Sequence, residues 1–142
     1  MTLLQSLYCN QYLELKQKGK ESAANKNGNV IATVSLFCNV ITVLLLLSVL
    51  SNVFADYMGD TIRNIFHGSS GRMVGRLIAI IGLALIFPIV KFTVGKKEYF
   101  DKTIATFEAL PDAEQKTVSK RGLIYFFGSI GAAIVSGLLL AL

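Results

Sequence analysis

Three apolar runs, residues 30–54, 73–94 and 122–142, decide what this chain can fold into. Crossing about 30 Å of hydrocarbon takes about 20 apolar residues in helical form. Inside lipid the chain must satisfy its own backbone groups, which leaves helices or a closed barrel. The runs lack the apolar–polar alternation of barrel strands. The sequence therefore predicts an all-α, three-span transmembrane helical bundle forming one integral membrane domain over residues 1–142. Composition agrees, because mean hydropathy is +0.56 and 16% of residues are charged, against about 25% in soluble domains.

The net charge of +5 in a soluble chain would suggest nucleic acid as a partner. Here the basic residues flank the spans, so the expected partner is the lipid bilayer and not nucleic acid. Segments 1–29 and 95–121, together with Lys91, hold eleven of the lysines and arginines; Arg63, Arg72 and Arg76 are the other three. Cytoplasmic loops accumulate Lys and Arg. The expected topology is an inner-membrane protein with the N-terminus and the 95–121 segment cytoplasmic, and the 55–72 loop and C-terminus outside. Val53-Phe54-Ala55 resembles a cleavage site, but the run before it is longer than a signal core and follows a polar leader, so it is expected to remain as a span.

The segments between the spans carry helical patterns of their own. Leu3, Leu4, Leu7, Tyr8, Tyr12 and Leu15 recur at helical spacing, which predicts an amphipathic helix lying on the inner interface, followed by a polar linker over residues 19–28. In the 55–72 loop, Tyr57, Met58, Ile62, Ile65 and Phe66 interleave with Asp56, Asp60 and Arg63, predicting one or two amphipathic turns on the outer interface before a Gly/Ser break at 68–71. Phe100, Ile104, Phe107 and Leu110 share one helical face. Pro111 with Asp112 and Glu114 suits a helix start. The segment 95–121 is thus expected to form a cytoplasmic helical hairpin running into the third span.

Polar and small residues within the spans mark candidate contact faces. Ser35, Asn39 and Thr42 form one stripe of the first span, suited to an interhelical hydrogen bond or to lining a pore. Arg76 and Lys91 sit near the two ends of the second span, where snorkelling accounts for them and a lipid-phosphate or ion-path role is the functional alternative. In the third span, Ser129, Ala133, Gly137 and Ala141 form one small-residue ladder and Gly128, Ala132 and Ser136 an adjacent one, the pattern of close helix packing.

Catalytic signals are missing. There is no nucleophile elbow, phosphate loop, HExxH or CxxC. His67 is the only histidine, and no ligand cluster surrounds it. Cys9 and Cys38 belong to different depths and do not suggest a disulfide; Cys9 at the membrane surface is read as an unmodified residue, with acylation as the alternative. No catalytic residue, cofactor or metal is expected, and the chain is not expected to be an enzyme. The basic leader Lys16-Gln-Lys18-Gly-Lys20-Glu-Ser-Ala-Ala and the Tyr99-Phe-Asp-Lys102 to Lys120-Arg121-Gly122 stretch before a last span resemble small multi-pass membrane proteins of Bacteroidota. That resemblance covers most of the chain, implies no activity and carries over no functional residue. The expected function is association with another membrane protein or with itself as a homo-oligomer, as an accessory subunit or an immunity or defence component. The alternative is a homo-oligomeric pore lined by the polar stripe of the first span.

Overall fold

The computed structural model describes residues 1–67 and 70–141, with the side chains of Asn52 and Ala141 outside the description. The helices are α1 (Leu3–Gln17), α2 (Ala24–Leu50), α3 (Asn52–Ile65), α4 (Gly71–Phe92), α5 (Lys97–Glu108) and α6 (Asp112–Ala141), and a single 3-10 turn, Glu21–Ala23, leads into α2. The fold is all-helical among the described residues. Three helical stretches, Glu21–Leu50, Gly71–Phe92 and Asp112–Leu140, are long and apolar enough to cross a membrane. The break expected at 68–71 falls partly on Gly68 and Ser69, outside the described residues.

The first apolar run is not one helix. It ends at Leu50, where Ser51 turns extended (φ −142°, ψ 108°) and its hydroxyl accepts from the Phe54 N–H at 3.3 Å. Val53 and Phe54 therefore belong to α3. Hydropathy is blind to this break, whereas Ser is a favoured helix cap because its side chain satisfies an orphan backbone donor. α3 lays its apolar side on α2. An apolar cavity of about 350 Å³ remains beneath it, lined by Met58 and Ile62 of α3, Leu44 and Leu45 of α2, Ile78 of α4 and Leu140 of α6.

α1 differs most from expectation. Its start is fixed by a reciprocal capping box, with Gln5 N–H donating to the Thr2 hydroxyl and Thr2 N–H to Gln5 Oε1. Its end is fixed by Gly19 at φ +66°, a conformation that only glycine adopts without strain. Between these, Leu7, Tyr8 and Cys9 are at most 1% exposed, and Tyr12 and Leu15 are buried as well. The face expected to rest on lipid is covered by α2, α5 and α6. Amphipathic periodicity fixes which side of a helix is apolar, and both lipid and protein satisfy it.

A protein core thus forms at the basic end of the bundle, from α1, α5, the first turns of α2, the end of α4 and the first half of α6. α5 contributes Phe100, Ile104 and Phe107, the face marked by their spacing. α6 passes α1 so closely at Gly122 that a Cβ there would collide with the Ser6 carbonyl and lie 2.9 Å from Leu7 N. Toward the other end α2 packs on both α4 and α6. Gly82 of α4 lies under the Phe37 ring of α2.

The two ladders of α6 divide between these surroundings. Ser129 and Ser136 are buried and Ala133 and Gly137 half-buried, with Gly137 facing Leu45 of α2; Gly128 and Ala132 are exposed. The Ala141 side chain lies outside the described residues.

Candidate functional site at the basic end of the bundle

Tyr8 anchors the site. Its ring lies on Gly28 of α2, where a Cβ would strike it, and packs edge-on to Phe100 at 6.0 Å between centroids. Its hydroxyl donates to Asn29 Oδ1 at 2.6 Å. Burial pushes the hydroxyl's pKa further above the ordinary tyrosine value, so Tyr8 stays a neutral donor. The Asn29 amide in turn rests on Gly95, in the turn between α4 and α5. Two glycines and one hydrogen bond therefore lock α1, α2 and the end of α4 together.

Beside this lock lies a cavity of about 550 Å³ between the start of α2 and the end of α4. Asn25, Lys26 and Asn29 line one side; Phe87, Lys91, Phe92, Lys96 and Lys97 line the other. Among the described residues no carboxylate lines it. None of the four lysines takes part in an ion pair among the described residues. The Asn25 Oδ1 atom is buried without a hydrogen-bond partner among the described residues, a costly arrangement for an amide acceptor.

Other polar groups at this end tie helices together. Asn10 Nδ2 donates to Ser119 Oγ of α6 at 2.9 Å, and Gln5 Nε2 to the Tyr99 hydroxyl of α5 at 2.9 Å. The Tyr12 hydroxyl and Lys16 Nζ both donate to Glu108 Oε1, at 2.6 and 2.5 Å. The Lys16 and Tyr12 hydrogen bonds, in that order, hold the Glu108 carboxyl below its usual pKa. Cys9 is fully buried and its thiol is pushed up to about 12 by burial, which makes it an inert packing residue rather than an accessible acylation site.

The candidate residues of the spans separate. Asn39 Nδ2 donates to the Tyr125 hydroxyl of α6 at 2.7 Å. Ser35 and Thr42 donate to carbonyls of their own helix, Ile31 O at 3.0 Å and Cys38 O at 2.8 Å. Arg76 and Lys91 are exposed at opposite ends of α4, and only Lys91 joins the cavity. His67 Nδ1 lies 2.7 Å from the carbonyl of Asn64, and no group of three His, Cys, Asp or Glu residues converges among the described residues. Lys26, Lys96 and Lys97 stand out in the sequence only as topology charges, and Asn25 and Asn29 only as linker or helix-start polarity. The i, i+4 spacing of the two asparagines is the one local signal that pointed to a shared face.

No protein-family model, curated protein or solved structure matches the chain.

Proposed function

We propose that this is an inner-membrane protein that acts by association in the plane of the membrane, as an accessory or defence-type component. The N-terminus and the α5 end would be cytoplasmic. The observation that carries the reading is the one-sided support of α4. That helix rests on α2, while Ile80, Leu85 and Ile89 remain 62–65% exposed. Tyr8, Asn10, Tyr12 and Asn39 spend their side-chain polar groups on holding helices together. What such a chain offers a partner is a rigid helical end and a long apolar flank. A photo-crosslinking residue at Leu85 in native membranes should give a discrete protein adduct. Adducts to lipid alone would overturn association through α4.

The pore alternative needs the polar stripe of α2 to face an aqueous lumen. Its strongest member, Asn39, is bonded to Tyr125 of the same chain, which favours the association reading. Planar-bilayer recordings of the purified protein should be silent; conductance steps abolished by Asn39→Leu would replace this reading with the pore.

A further inference from the structure

We propose that the lysine-ringed cavity between α2 and α4 binds the phosphate of an anionic membrane-lipid headgroup. The inference rests on α4 crossing the bilayer and not on the association reading. Three observations converge on it.

First, Lys26, Lys91, Lys96 and Lys97 are gathered around one concavity with no carboxylate in its lining. Like charges held together repel one another, and a phosphate relieves that repulsion. Glu21 and Glu98, sequence neighbours of the lining residues, line none of it. Second, the amide side chains of Asn25 and Asn29 line the same concavity, and an amide N–H is a donor suited to a phosphate oxygen. Third, the cavity sits at the end of a membrane-length helix, with Phe87 and Phe92 among its walls. An acyl chain leaving the site would run along the exposed flank of α4, past Ile89 and Leu85. Basic pockets between spanning helices are the general form of anionic-headgroup sites, and about 550 Å³ lies within the range of about 300–1,000 Å³ common for small-ligand sites.

The test uses the full chain in nanodiscs made of phosphatidylcholine with or without phosphatidylglycerol of the same acyl chains, with retained lipid counted by native mass spectrometry. The wild type should retain phosphatidylglycerol with a preference of about tenfold or more over phosphatidylcholine. Lys96→Gln/Lys97→Gln should lose most of it. Asn25→Asp, which puts a negative charge in the cavity at constant volume near a helix start that tolerates it, should lose it too while keeping its unfolding temperature in phosphatidylcholine. Lys116→Gln/Lys120→Gln removes the same charge from α6 and should change nothing. A second arm titrates inorganic phosphate into phosphatidylcholine nanodiscs and follows unfolding temperature. Stabilisation by phosphate without phosphatidylglycerol selectivity would move the phosphate source to solution and overturn the lipid assignment. No preference at all, or an equal loss in the α6 control pair, would overturn the site.

Discussion

Gly122 shows how much one atom decides. A methyl group there meets the Ser6 carbonyl, which is helix backbone and cannot swing away. Gly122→Ala should therefore push α6 off α1 and lower stability by about 1–3 kcal/mol, the usual cost of overpacking, as read from thermal unfolding in detergent. Gly128→Ala, where a Cβ finds nothing within 4 Å, should be neutral or slightly stabilising, since Ala is the better helix former. In sequence the two glycines look alike, and Gly128 even belongs to one of the small-residue ladders. Tyr8 is a second such residue. Tyr8→Phe leaves Asn29 Oδ1 without its donor and should cost about 1–3 kcal/mol, with the packing of the ring on Gly28 retained. At Glu108 the effect is electrostatic. The folded-state pKa is depressed below 4.5, so this carboxylate contributes stability above about pH 4.5 that is lost as the pH falls through the folded value. The Lys16 pair is about half exposed, so the contribution is small. A shallow loss of unfolding temperature as the pH falls below about 4.5, specifically reduced in Glu108→Gln, is the expected signature.

At the scale of elements, α1 changes role between pattern and structure. Were it a surface anchor, truncating its apolar face would weaken membrane contact and leave the bundle intact. As a buried element it obeys core energetics. Leu7→Ala should cost about 2–5 kcal/mol, while Leu3→Ala, at a position 47% exposed, should cost little. Equal effects from the two, measured by thermal unfolding, would return α1 to the interface. Cys9 reports the same packing chemically: a thiol reagent should modify it only after unfolding. On α6, Gly137→Leu presses against Leu45 of the same chain and should destabilise the α2–α6 pair, whereas Leu139→Phe on the exposed side should be nearly silent. If both were silent, the small-residue face would carry no packing within the chain.

For the whole molecule, the prediction is orientation. Eleven basic residues belong to the end that holds α1 and α5 and three to the other, and positive charge is retained on the cytoplasmic side. A reporter active only in the cytoplasm should work when inserted at Leu110-Pro111 and fail when fused after Leu142. The reverse pair of results would invert the molecule and put the lysine cavity in the outer leaflet.

Membrane-length helices, the helix start after Pro111 and the apolar faces of α1 and α5 were legible because hydropathy, periodicity and helix-start chemistry are properties of neighbouring residues. They remain readable whatever the chain packs against. The Ser51 break was written locally as well, but inside an apolar run that masks it. What covers α1, which glycine admits a helix backbone and which lysines share a cavity depend on residues far apart in the chain. Asn29 meets Gly95, Ser6 meets Gly122, and Lys26 shares a cavity with Lys96 only because α2 lies beside α4 and α1 packs on α2 and α6. A periodic pattern states that a face must leave water, and the tertiary structure alone decided whether lipid or protein receives it.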